Sequence, residues 1–214
     1  MVSRAPGCPY GRTDSSFHRS NPKGETMKKT LLAVCAATAL LLAAATSATA
    51  GDGGLSDARA ATAQFQRFDA AFAAGYNVEV IDRNGLACID DIENGTGGMG
   101  IHYLNPAYFD PQVNGHFVAG NVDASTPEAV IYEPTANGRM RLVAVEYIVT
   151  KEGWEASHGA GAPAPSLFGR EFELVQAGNR YGLPDFYELH AWIWKNNPLG
   201  MHNDWNPTVT CAYA

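Results

Sequence analysis

The sequence predicts an α+β domain: an N-terminal amphipathic helix packed on a curved, mainly antiparallel β-sheet or partial barrel. Three observations carry this. One segment of helical period comes first, several β-rich runs bounded by turn residues follow it, and no internal repeat interrupts them.

The helix reads from Ser56, a good N-cap, with Asp57 in the first turn where the helix dipole favours negative charge. Ala58, Ala61, Phe65, Phe68 and Phe72 then recur at three- and four-residue steps until Gly75, which predicts an amphipathic helix of about five turns. A Phe stripe of this kind is core packing. Short extended runs follow at 78–81, 87–89 and 99–104, the last ended by Asn105-Pro106. Residues 129–132 and 141–150 read as a strand pair turning around Pro134, Asn137 and Gly138, and 187–194 as the strongest strand near the C-terminus. Residues 153–168, with Pro163 and Pro165, lack periodicity and read as a long surface loop.

The domain is expected to span residues 51–214. Upstream, Met27, Lys28 and Lys29 open an apolar run at 31–45, and Ala48-Thr49-Ala50 offers the small-x-small pattern of a cleavable secretory signal over 27–50. The run is short for a bilayer span and no charged stop-transfer flank follows, so a stable membrane anchor is not expected. Cys35 raises a lipoprotein alternative, but Val34 precedes it where a small residue is wanted, and apolar sequence continues beyond it. Residues 1–26 have no apolar periodicity. They read either as a long n-region or as sequence ahead of a true start at Met27. The expected product is secreted or periplasmic after cleavage near Ala50.

Cleavage changes the charge. The chain carries 15 Lys and Arg against 22 Asp and Glu, while residues 51–214 carry 9 against 20. Such acidity argues against nucleic acid or an anionic membrane surface as partner, because both need a basic face. It is compatible with cations and neutral small molecules, and equally with solubility alone. Only Cys88 and Cys211 follow the signal, and a pair in an oxidising compartment predicts one disulfide.

Several motifs fail on context. The run 95–100, Gly-Thr-Gly-Gly-Met-Gly, matches the dinucleotide fingerprint in letters, but Ile101-His102-Tyr103-Leu104 follows where a helix should open. Asp90, Asp91 and Glu93 beside Asn94-Gly95 lack the spacing of a calcium loop and read as an acidic turn. No G-x-S-x-G or H-E-x-x-H is present.

Among the histidines after the signal, His116 and His158 lie in loop-like sequence and His202 in a Gly- and Asn-containing loop, whereas His102 and His190 interrupt apolar strands. Glu146 and Glu133 do the same. With period two, Glu146 shares a face with Leu142, Ala144 and Ile148, and His190 with Glu188, Trp192 and Trp194. A carboxylate flanked by apolar residues on both faces needs a cation, an imidazole or strong donors. His102, Glu146 and His190 are therefore the candidate ligands of a divalent metal (Zn, Cu or Fe). Tyr103, Glu133, Tyr147, Glu188 and Trp192 are the expected pocket residues around them. The alternatives are a metal-free polar pocket, or structural pairing of Glu146 with Arg139, Arg141 or Arg170.

The run 98–103, then 130–134 and 142–147, resembles a family of exported bacterial proteins with no assigned activity. Ser166-Leu167-Phe168-Gly169, the stretch 189–198 and Trp205-Asn206-Pro207 are similar too. The likeness covers nearly all of residues 51–214 and implies a bacterial source and one intact domain. Three classes of function remain open: a module binding a metal or small ligand, an extracytoplasmic enzyme using Glu146, His190 or a bound metal, and an interaction protein presenting Trp154 and Trp205.

Overall fold

The computed structural model describes residues 54–91, 94–109 and 120–214; the signal and the N-terminal extension, Glu93 and His116 lie outside them. The fold is α+β, with short N-terminal helices and an open antiparallel sheet.

The expected five-turn helix is broken into α1 (Leu55–Thr62), a 3₁₀ turn (Ala63–Gln66) and α2 (Phe68–Ala73). One local and one tertiary bond accompany the break. Thr62 Oγ1 donates back to the Ala58 carbonyl at 2.7 Å, a bond that tends to bend helices, and the Tyr132 hydroxyl donates to the Phe65 carbonyl at 2.7 Å. Arg67 then adopts extended geometry, with ψ 115°. Ser56 does not cap α1; Gly54 takes that position with φ 95°. The stripe shifts accordingly: Leu55, Ala58, Phe65 and Ala71 are buried, while Phe72 is 50% exposed.

The strands are β1 (Val78–Glu79), β2 (Cys88–Asp91), β3 (Gly97–Leu104), β4 (Ala129–Pro134), β5 (Met140–Thr150), β6 (Ser166–Leu167), β7 (Arg170–Glu171), β8 (Glu173–Val175) and β9 (Phe186–Ala191). Seven of them form one sheet in the order β1-β3-β4-β5-β9-β8, with β2 also on β3, and every pairing is antiparallel. Its two edges do not join, so the sheet is not a closed barrel. The glycine run leads into β3 rather than a helix, which removes the dinucleotide reading. Gly97 and Gly100 have φ 112° and 102°, and a Cβ there would meet the Asn206 and Tyr132 carbonyl oxygens at 2.2 and 2.6 Å.

Part of the expected loop at 153–168 is helical. Thr150 ends β5 and its hydroxyl accepts from Gly153 N at 3.1 Å, capping α3 (Lys151–His158). Trp154 and His158, four residues apart, stack at 3.6 Å. Trp154 and Trp205 are half-buried rather than exposed, and Trp154 Nε1 donates to the Pro163 carbonyl.

One face of the sheet packs on the N-terminal helices through Val130, Tyr132, Leu142, Val145, Tyr147 and Leu189. On the other face lie Ile131, Val143, Ala144 and Trp192, covered in part by Val209 of the C-terminal tail. Leu142 sits opposite Tyr132 and Ala144 opposite Ile131, so Val143 is a bulge. The bulge moves Leu142 off the Glu146 face, against the simple alternation. Trp194 likewise leaves its expected face, because β9 ends at Ala191 and Trp194 Nε1 donates to Thr62 near the helices. Cys88 and Cys211 form the expected disulfide, 123 residues apart in sequence, and tie the tail to β2.

Candidate metal centre

His102, Glu146 and His190 come from β3, β5 and β9 and meet on the sheet face opposite the helices. Antiparallel register places Glu146 directly across from His190. His102 is one strand further away, separated from β5 by β4. It reaches Glu146 because the β4 residue opposite Glu146 is Ala129, whose side chain ends at Cβ. All three side chains are buried.

The distances are longer than ordinary hydrogen bonds and close to the spacing of neighbouring metal ligands. His102 Nε2 lies 3.4 Å from His190 Nε2 and 3.5 Å from Glu146 Oε2. Hydrogen bonds to nitrogen close to about 2.7–3.2 Å. Bonds of about 2.0–2.1 Å around tetrahedral zinc instead put neighbouring ligand atoms about 3.3–3.4 Å apart. Ligand atoms of His102, Glu146 and His190 all fall within 4.8 Å of one another, as do those of Glu188, His190 and Asp204. Nδ1 of both His102 and His190 is buried without a hydrogen bond among the described residues. The cluster is compatible with coordinating a divalent metal.

Its electrostatics point the same way. Burial pushes the Glu146 carboxyl up despite the neighbouring His190, and burial together with Glu146 pushes Glu188 well up. Burial opposes the charged form of His190, but Glu146, Asp204 and Glu188 outweigh it and raise the ring to about 9. Burial and the nearby His190 lower His102 to about 3. Among the described residues no Lys or Arg pairs with Glu146, Glu188 or Asp204. Three carboxyls and two imidazoles thus adjoin one another, Asp204 part-exposed and the others buried, with the His190 ring as the basic group beside Glu146 and Asp204, a composition compatible with a bound cation.

Of the expected pocket residues, Glu188 and Trp192 adjoin the centre; the Trp192 ring stacks on His190 at 6.2 Å. Tyr103 and Tyr147 do not. Each directly follows a cluster residue on its strand, so each points to the helix side. There Tyr103 packs on Phe68 and donates to Glu79, and Tyr147 packs on Phe168 and donates to the Ala124 carbonyl. Glu133 is also elsewhere, bound by Lys195 Nζ at 2.8 Å, by Arg141 and by Thr210 N. Arg141 is thereby committed to Glu133 and not to Glu146.

Two contributors escaped the sequence reading. Asp204 Oδ1 lies 3.4 Å from His190 Nδ1. His202 bonds the His190 carbonyl through Nδ1 at 2.7 Å, so the 202–204 loop folds back over β9. The histidine carries only the weak signal of a Gly- and Asn-containing loop; the aspartate sits in unpatterned loop sequence and carries no local signal. The second contributor is the 179–183 turn, which brings Tyr181 and Leu183 over the cluster. It is anchored by Arg180, whose Nη2 donates to buried Asp82 at 2.7 Å. The Leu86 amide and Arg180 hold the Asp82 carboxyl below the usual range.

Two spaces border the centre. A small cavity of about 40 Å³ is lined by His102, Glu146, Glu188 and Tyr181 with mostly apolar neighbours. A polar surface basin of about 500 Å³, walled by Arg170, Glu173 and residues 199–205, includes Asp204 and His202. No protein-family model, curated protein or solved structure matches the chain.

Proposed function

We propose that the protein binds one divalent transition metal, Zn, Cu or Fe, through His102, Glu146 and His190. The observation that carries this reading is the pair of 3.4 and 3.5 Å separations around His102 Nε2, which match neighbouring ligands of a metal better than hydrogen-bonded partners. Asp204, whose Oδ1 lies 3.4 Å from His190 Nδ1, supports it as a carboxylate placed on the side of the ring away from His102, where a ligating imidazole takes a supporting group. Two imidazoles and one carboxylate leave coordination positions free. That is the pattern of catalytic zinc and of non-haem iron, where the metal supplies an activated water or an oxygen-binding site. The binding role comes first, and catalysis at the same centre is the alternative.

The setting proposed is outside the cytoplasm of a bacterium. The secretory pattern at 27–50, the likeness to exported bacterial proteins and a disulfide suited to an oxidising compartment support it.

The test is metal analysis of protein purified from periplasm or medium, for wild type, His102→Ala and His190→Ala. Near-stoichiometric metal in the wild type, lost in both folded variants, is the expected result. Absence of stoichiometric metal, with melting unchanged by added Zn²⁺, Cu²⁺ or Fe²⁺, overturns the reading. Variants that unfold while the wild type holds no metal assign the cluster a structural role.

A further inference from the structure

The small cavity beside the candidate ligands has walls unlike those of a substrate pocket. Val80, Leu104, Phe109, Ile148, Leu183 and Phe186 line it, and His102, Glu146 and Glu188 form its polar side. Its volume of about 40 Å³ exceeds the roughly 10–15 Å³ needed for one water. It falls far below the roughly 300–1,000 Å³ of pockets that take organic ligands. An apolar wall disfavours ions and strongly hydrated molecules. A water held by the polar side fits this space, and so does a neutral diatomic molecule against the apolar wall.

We propose that this cavity is the ligand pocket of the metal centre and that it admits a neutral diatomic gas, dioxygen, to an open coordination position. This rests on the metal reading above. Three features converge. The cavity is bordered by two of the three candidate ligands, His102 and Glu146, so a molecule within it lies against the metal position. A set of two histidines and one carboxylate with open positions is the iron site that takes dioxygen. The Tyr181 hydroxyl, on the same cavity, has only the weak acceptor Met99 Sδ at 3.7 Å among the described residues, so its proton is available to a bound ligand. The step proposed is binding; no bond within a substrate is made or broken.

The large basin does not compete for this role. It is polar, includes Arg170, and of the cluster residues only Asp204 lines it.

The experiment loads the full-length secreted protein anaerobically with ferrous iron, measures iron content, and titrates nitric oxide as a diatomic probe by electron paramagnetic resonance. Wild type is compared with Leu183→Phe and Val80→Phe, which fill the cavity from different walls. The expected result is a ferrous-nitrosyl signal in the wild type. Nitric oxide affinity should fall at least tenfold in whichever filled variants retain iron and the wild-type circular dichroism. Full iron content with no nitrosyl signal, or with equal affinity in a folded filled variant, overturns the gas-binding proposal and leaves the metal reading intact. Wild type that takes up no iron, zinc or copper overturns both. Xenon density in the cavity of pressurised metal-free crystals is a further expected result, and its absence counts against the proposal independently of metal.

Discussion

Glu146 of β5 and His190 of β9 are directly opposed partners in the antiparallel ladder, both buried, so the sheet's register itself puts a carboxylate against an imidazole. Neither side chain depends on a loop for its position. The third member, His102, reaches them across an intervening strand, and that crossing is the sensitive point of the arrangement.

Ala129 leaves the space for it. Ala129→Val adds two methyl groups between His102 and Glu146 in a fully buried position. Overpacking of this kind costs about 1–3 kcal/mol of stability. Urea denaturation should register that loss, and metal content should fall in protein that remains folded. Full metal occupancy in a folded variant would mean that His102 is not a ligand.

Asp204 tests the other side of His190. Asp204→Asn keeps the shape of the side chain and removes its charge, 3.4 Å from the imidazole nitrogen. Loss of such a supporting group typically lowers metal affinity about 10–100-fold. Competition titration against a chromophoric chelator should show this with the melting temperature of the metal-free protein little changed.

Glu128 predicts a pH dependence whose largest cause is burial, with the candidate ligand Glu146 adding to it. Burial raises its carboxyl to about 8, although it accepts from the Ile148 amide at 2.9 Å. The folded protein therefore holds this proton between roughly pH 4.3 and 8 while the unfolded chain releases it, so stability falls as pH rises through that window. Glu128→Gln removes the dependence. The variant should gain stability relative to wild type as pH goes from 5 to 8 in urea titrations of metal-free protein. A constant difference between the two across that range would refute the assignment.

Glu133 separates the fold from the site. Lys195, Arg141 and the Thr210 amide surround its buried carboxylate, and although burial opposes its charge, these partners hold its pKa below the ordinary value. Glu133→Gln should cost about 1–3 kcal/mol of stability, since it weakens a charge-assisted network and leaves Lys195 without its counter-charge. Metal content should stay at the wild-type level, because Glu133 contacts none of the cluster.

Much of this molecule was legible from period and composition. The strand pair follows from β-rich runs flanking the Pro134–Gly138 turn, the disulfide from the cysteine count, and the singling out of His102, Glu146 and His190 from polar residues interrupting apolar strands. The errors have identifiable causes. Tyr103 and Tyr147 were grouped with their neighbours by adjacency, although period two turns consecutive side chains to opposite faces. Glu133 shares the apolar context of Glu146 but meets Lys195 from a distant part of the chain. The helical period overstates the helix because Tyr132 and Trp194, far off in sequence, bond groups near its break.

The sequence by itself determined which residues had to be buried and which of those could not be buried alone. That information is local: a carboxylate or imidazole amid Val, Ile and Leu demands a partner wherever the chain goes. Only the tertiary structure decided the partners. The bulge at Val143, the pairing of Glu146 with His190 and the return of the 202–204 loop over β9 depend on strand register and on chain closure. Those contacts join residues on different segments of the chain, and no periodicity within a single strand encodes them.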